Sequence, residues 1–200
     1  GLVAEHFGEV NLVINNAGIA FTGRVEESGY KDIARVMDVD YWGVVHGTKE
    51  FLPHLIASGD GHLANVSSIF SFLSVPTQNS YNAAKAAVQQ FTESLRMEMI
   101  AAGRPVDVSC VHPGGIKTAV ARNATAAEGL DSADFAAVFD EKFARTEAST
   151  AARVILDGVE RRRARILVGP DAYVIDALVR LFPSAYQRGT VLVSRRFGVI

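Results

Sequence analysis

The sequence predicts an α/β fold, a doubly wound parallel sheet with helices on its faces. Three observations predict it. Short apolar runs rich in branched aliphatics recur along the 200 residues, longer stretches with an apolar repeat near 3.6 lie between them, and glycine or proline marks the joins. Alternation of this kind places helices against a parallel sheet. With 48% hydrophobic and 21% charged residues the chain can bury a core, and its length suits one domain.

The elements follow in order. Residues 11–15 (NLVIN) are the first strand, and Gly8 stands just before it, where a helix C-terminus gives way. Residues 30–57 carry helical periodicity, ended by Gly59 and Gly61 before the strand 62–66 (HLANV). A second helical pattern covers 79–101; Gly103 and Pro105 end it before the strand 106–111 (VDVSCV). Residues 147–162 are helical again, and 165–168 (RILV) form the fourth strand. Each apolar run is too short for a typical helix. Residues 119–146 are alanine-rich with no strand pattern, so short helices in a long excursion are expected there, the kind of segment that serves as a lid or binding loop. The tail over 171–183 reads as an amphipathic helix with Tyr173, Leu178, Leu181 and Phe182 inward.

Composition excludes several function classes. The net charge of −2 provides no basic field to recruit nucleic acid or an anionic membrane. The arginines at 161–163 and at 195–196 read as a solvated helix end and tail. No apolar run approaches the ~20 residues of a membrane span. The single cysteine, Cys110, lies in an apolar strand and cannot form an internal disulfide, which fits a reducing cytoplasm. His46, His54, His62 and His112 lack metal-ligand spacing.

The chemistry concentrates at Ser68, Tyr81 and Lys85. Tyr81 and Lys85 are four residues apart at the start of a predicted helix and so project from one face. An ammonium beside a phenol stabilises the phenolate, lowering its pKa from the reference near 10 and suiting Tyr81 to general acid/base work. Ser68 follows a strand, at the carboxyl end of the sheet where ligands of open α/β sheets bind. A Tyr-x-x-x-Lys pair alone is most often an aromatic and a solvated cation on one helix face. Two other readings of the serines fail. Ser28-Gly29-Tyr30-Lys31 matches an acylating Ser-x-x-Lys pair, but the companion Ser-Asp-Asn and Lys-Thr-Gly elements are absent. Residues 65–69 (NVSSI) contain no Gly-x-Ser-x-Gly elbow.

Four motifs raise the specificity together: NNAG (15–18), a serine 13 residues before the tyrosine (Ser68 to Tyr81), YNAAK (81–85) and PGGIKT (113–118). With these in order the chain resembles the short-chain dehydrogenase/reductase family, from about residue 1 to the strand at 165–168 and less closely over 119–146 and the tail. The resemblance implies a Rossmann-like sheet and hydride transfer between NAD or NADP and a secondary alcohol or ketone. By the motif positions, Tyr81 would be the catalytic acid/base. Lys85 would lower its pKa and hold the nicotinamide ribose, and Ser68 would polarise the substrate oxygen. Asn16, Ala17 and Gly18 would lie on the adenosine-ribose side. Pro113, Gly114, Ile116 and Thr118 would secure the nicotinamide. On this view 1–200 is a single partial domain, with 119–146 as substrate-loop helices and 170–200 as a C-terminal extension. Phe135, Val138, Phe139 and Phe143 are available to line an apolar pocket, which suits a hydrophobic substrate, although the same pattern suits ordinary helix packing.

Two departures from the family pattern carry expectations of their own. The family's asparagine 28 residues before the serine is Asp40 here; its main-chain carbonyl is still available, but a carboxylate changes the field near Lys85, so Asp40 joins the catalytic candidates. The family's first strand, glycine-rich turn and following helix are not among these residues, and the chain contains no Gly-x-x-x-Gly-x-Gly. The expectation is an N-terminally truncated sequence, short by on the order of 60–80 residues at ~30 per β–α unit. Weak cofactor affinity is expected for these 200 residues alone, because that turn and helix N-terminus face the pyrophosphate. The residue that separates NAD from NADP would lie in the same part. A non-catalytic relative used for binding or assembly is the alternative. The remaining expectations are a small-molecule substrate, no nucleic acid, no membrane span and a cytoplasmic location. A homo-oligomer is expected through 30–57 and 79–101, where Phe51, Leu52, Leu55, Val88, Phe91 and Leu95 supply apolar positions, some of them turned to the sheet.

Overall fold

The computed structural model describes residues 2–130, 133, 137–198 and 200. After a short helix α1 (Leu2–Phe7), four strands form one parallel sheet: β1 (Leu12–Asn15), β2 (Gly61–Val66), β3 (Val106–Pro113) and β4 (Arg165–Val168). They lie side by side in chain order, with Leu12 opposite His62, Gly61 opposite Val106 and Cys110 opposite Arg165. All four strands fall where the apolar runs placed them. Gly8, Gly59 and Gly103 each adopt positive φ, the left-handed conformation that lets a chain turn out of a helix.

Parallel strands need crossover connections, and helices supply them: α2 (Tyr30–Met37), α3 (Gly43–Ala57), α4 (Asn79–Ala101) and, after the four-residue α5 (Ala119–Arg122), α6 (Ala148–Glu160). The period-2 alternation of the strands divides the core. Leu63, Val106 and Val108 pack with Leu55, Leu95 and Met99 on the α3/α4 face. Ala64, Val66, Val111, Ile166 and Val168 pack with Ala151 and Val159 of α6 on the other. Being covered on both sides, β2 is buried at every position.

A chain of hydrogen bonds carries polar groups across this core. Asn15 Nδ2 donates to Asn65 Oδ1 (2.8 Å), Asn65 Nδ2 to Thr92 Oγ1 (3.0 Å) and Thr92 Oγ1 to the Val88 carbonyl (2.6 Å). Gly47 makes room for it, because a Cβ there would collide with the Asn15 amide. The first asparagine of NNAG thus ties β1 to β2 and, through Asn65, to α4.

Several expectations are corrected. The helical pattern over 30–57 is interrupted by a π-helical turn (Asp38–Trp42) between α2 and α3. The excursion 119–146 holds short helices as expected but also two-residue parallel strands. Thr125–Ala126 pair with Phe21–Thr22, and Thr146–Glu147 pair with Ile116–Lys117, fastening the segment at both ends. Pairs this short carry no period-2 signal. Phe135 lies outside the described residues. The tail forms α7 (Pro170–Leu181) and α8 (Ala185–Arg196), but Tyr173 and Leu181 are exposed rather than inward, Leu181 by 71%, while Leu178 and Phe182 are solvent-accessible and face a cavity. Ala172 is the buried position of α7: the small residue meets the sheet, and Tyr173 and Leu181 project to solvent. Of the positions offered for an oligomer contact, Leu55, Val88 and Leu95 belong to the core. Phe51 is exposed there, as are Trp42, Met97 and Ile100.

Candidate active site

The carboxyl ends of the parallel strands carry the site. Ser68 stands two residues beyond β2 and caps a 3-10 turn (Ile69–Ser71), its Oγ accepting from the Phe70 N–H at 3.1 Å. Ser67 Oγ donates to the Lys85 carbonyl at 2.8 Å, pinning the first turns of α4 against the end of β2. That clamp places Tyr81 beside Ser68, near enough for the serine hydroxyl to favour the phenolate. Phe70 packs edge-on against the Tyr81 ring.

Lys85, 3% exposed, sends its ammonium beneath the phenol, 5.5 Å from the ring centroid. Nζ donates to the Val66 carbonyl at 3.2 Å and forms an ion pair with Asp40 Oδ2, also at 3.2 Å. Asp40 lies in the π-helical turn and is fully buried. Its Oδ1 accepts from the Ile19 N–H at 2.8 Å. A Cβ on Gly18 would lie 3.2 Å from Lys85 Nζ and 3.3 Å from Asp40 Oδ2, so glycine lets the chain leaving β1 rest closely on this ion pair without crowding it. The carboxylate at position 40 therefore acts through its side chain, directly on Lys85.

Burial pushes the Tyr81 phenol above its ordinary value; Lys85 opposes the shift and Asp40 reinforces it. The lowered phenol expected from the sequence is thus reversed, because Tyr81 gives up solvent and Asp40 answers the lysine charge. Asp40 is itself raised by burial, against the pull of Lys85 and the Ile19 N–H.

Ser68, Tyr81 and Lys85 open on one cavity of about 1130 Å3. Asn16, Gly18, Pro113, Gly114, Ile116 and Thr118 border it too, from the ends of β1 and β3. Ala17 is exposed and outside that lining, and Asp40 lies behind it. Val138, Phe139 and Phe143 of the excursion form part of the wall, as expected, and α7 and α8 complete it with Leu178, Phe182 and Phe197. Among the described residues no cluster of His, Cys, Asp or Glu could hold a metal.

Two structural supports escaped the sequence reading. His112, fully buried at the end of β3, sets Nδ1 3.3 Å from the Ser68 carbonyl and 3.2 Å from Ser71 Oγ. Asp171, at the start of α7, accepts from the Gly115 N–H at 2.6 Å and fixes the turn after Pro113. The helix start at Gly169-Pro170 was legible as a signal, but the partner 56 residues away was not.

A parallel α/β sheet whose strand ends gather a serine, a tyrosine and a lysine of this spacing defines a short-chain dehydrogenase/reductase. Residues 1–129 match the short chain dehydrogenase family, and the chain belongs to it. It is 57% identical over 186 residues to the SadH protein of Mycobacterium tuberculosis, covering 93% of this chain and 67% of that protein. It is 35% identical over 162 residues to dehydrogenase/reductase SDR family member 7B of Xenopus tropicalis, covering 80% and 50%. The chain thus spans half to two thirds of the length of these relatives. A short-chain dehydrogenase/reductase from Burkholderia phymatum in complex with NAD superposes with a TM-score of 0.81 at 28% identity, covering 92% of this chain and 70% of the other. A Burkholderia cenocepacia short chain dehydrogenase in complex with NADP gives 0.76 at 25% identity, covering 94% and 74%. The family is one of NAD(P)-dependent oxidoreductases, so NAD or NADP is the cofactor. No helix among the described residues is long and apolar enough to cross a membrane.

Proposed function

We propose that the protein interconverts a bulky apolar ketone and the corresponding secondary alcohol. The observation that carries the reading is the convergence of Ser68, Tyr81 and Lys85 on one wall of a large, mostly apolar cavity. Ser68 Oγ and Tyr81 Oη hold the substrate oxygen from two sides. In reduction Tyr81 passes its phenolic proton to that oxygen, and in oxidation it takes the proton back. Bound NAD(P) supplies or accepts the hydride. The lining fits its nicotinamide half. Lys85 and Tyr81 would meet the ribose hydroxyls, and the 113–118 segment, held by Asp171, would meet the carboxamide. Gly18 rests against the Lys85–Asp40 pair and Gly114 against Asp171, where a Cβ would crowd each partner.

The cavity exceeds the ~300–1,000 Å3 usual for small-molecule sites. Phe70, Leu73, Phe139, Phe143 and Phe182 line the substrate side, and Gly189 on the α8 wall has open space where a Cβ would stand. The chain is read as one domain, with 119–146 as the substrate loop and 170–200 as an extension closing the cavity. In a homologous series of 2-alkanols, kcat/KM is expected to rise by up to about fourfold per methylene, since a buried CH2 contributes ~0.8 kcal/mol. A flat or falling series would overturn the apolar substrate class, and a protein with no NAD(P)-linked turnover of any alcohol or ketone would overturn the reaction.

The same reading includes a homo-oligomer through α3 and α4, supported by exposed Trp42, Phe51, Met97 and Ile100 on and beside those helices. Light scattering at micromolar concentration should give at least twice the protomer mass; a monomer would remove this part of the reading.

A further inference from the structure

We propose that Asp40 is a positioning residue that sets the direction of proton exchange at Tyr81: its carboxylate pairs with the Lys85 ammonium inside the protein and offsets the positive field that ammonium lays on the phenol. Tyr81 is thereby held in its protonated form, and the site favours giving a proton to a carbonyl oxygen over taking one from an alcohol. The proposal rests on the oxidoreductase reading above and adds to it a residue and a bias.

The geometry leaves the pair little freedom. Asp40 is fully buried and Lys85 nearly so, and their charged atoms are 3.2 Å apart. Each has a second anchor, the Ile19 N–H for Asp40 and the Val66 carbonyl for Lys85. The π-helical turn supplies the extra residue that points Asp40 inward, and Gly18 covers the pair without a side chain. A lone ammonium below a buried phenol would stabilise the phenolate; an ammonium and carboxylate together present a short dipole whose field falls off faster. The direction found for Tyr81, upward, agrees with this balance.

The other charges are accounted for. Among the described residues, the ionisable groups acting on Tyr81 are Lys85 and Asp40. Of the elements packed on α4, β3 brings His112, lowered to about 4 and so neutral at physiological pH, and Cys110, raised to about 12. Asp107 of β3 is engaged by Arg96 and Arg162. His62 of β2 hydrogen-bonds Ser109. The turn Ile69–Ser71 contains no ionisable side chain, Asp38 of the π-helical turn is exposed, and α2 contributes Tyr30, Lys31, Asp32 and Arg35, none fully buried.

The test reads the tyrosine itself. Phenolate absorbance is titrated in the protein and in Asp40→Asn, each corrected by the same background carrying Tyr81→Phe, which removes the other four tyrosines from the difference. Asn keeps the volume and an acceptor for the Ile19 N–H, so the phenolate fraction at a fixed pH below the midpoint should rise about tenfold or more. Asp40→Glu, which keeps the charge, should stay closer to the parent than Asn does. Asp40→Ser serves as the neutral variant if Asn does not fold. An unchanged titration, or one displaced to higher pH, in the neutral variant overturns the role of Asp40, even in a protein that turns over ketones. A shifted titration in a protein that reduces no carbonyl overturns the oxidoreductase reading instead.

Discussion

Tyr81→Phe is expected to lower kcat by a factor on the order of 100 or more, in both reaction directions, with the fold intact. The substitution removes one oxygen and leaves the ring in place against Phe70, so the start of α4 keeps its packing. What disappears is the proton carried to the substrate oxygen and the hydroxyl that stands beside Ser68. Lys85 cannot substitute, because its ammonium lies beneath the ring and is engaged by Val66 and Asp40. Cofactor affinity should change far less than turnover, since Lys85 is untouched. The comparison is steady-state kinetics beside cofactor titration of the same preparation. Turnover near that of the parent would mean that Tyr81 is not the acid/base, and the reading built on it would fall.

Acid is expected to destabilise the protein through His112. Burial and the nearby Arg165 lower this imidazole from 6.5 to about 4, and it is fully buried. The sign follows from where the proton goes. Below pH 6.5 the unfolded chain binds a proton that the folded chain refuses, so the stability of the neutral form is fully present above 6.5 and is lost as pH falls through about 4. The shift corresponds to about 3 kcal/mol. His112→Asn, which keeps an amide near the Ser68 carbonyl, removes the titration, and its stability should fall less steeply with acid. His62, also lowered by burial, is present in both proteins and cancels in the difference. Denaturant midpoints of the two between pH 7 and 4 make the measurement, and parallel curves would show that His112 does not carry the acid sensitivity.

How much of this was legible in the sequence depends on the range of the interaction concerned. The four strands were legible because branched aliphatic runs bounded by glycine have one stable use in a chain of this composition, and Gly8, Gly59 and Gly103 mark turns that few other residues make cheaply. Tyr81 and Lys85 could be placed together because four residues along a helix is a local distance, and Ser68 joined them through the spacing of the family motif. The paired strands at 125–126 and 146–147 were not legible, since two residues have no period. Nor was the orientation of the tail: amphipathic periodicity marks one face of α7 as apolar, but only the position of the sheet edge decides that Ala172 is covered while Leu181 projects.

Residue types and their local spacing therefore determined the parallel sheet, its strand order along the chain and the serine, tyrosine and lysine of the site. The tertiary structure alone decided the electrostatics. Whether Lys85 lowers the Tyr81 phenol depends on a carboxylate 45 positions away in sequence that a π-helical turn brings to 3.2 Å. It depends still more on how far the fold keeps water from the phenol. Both are consequences of packing between distant segments, and a low-dielectric interior makes charges at such distances outweigh anything the neighbouring residues encode.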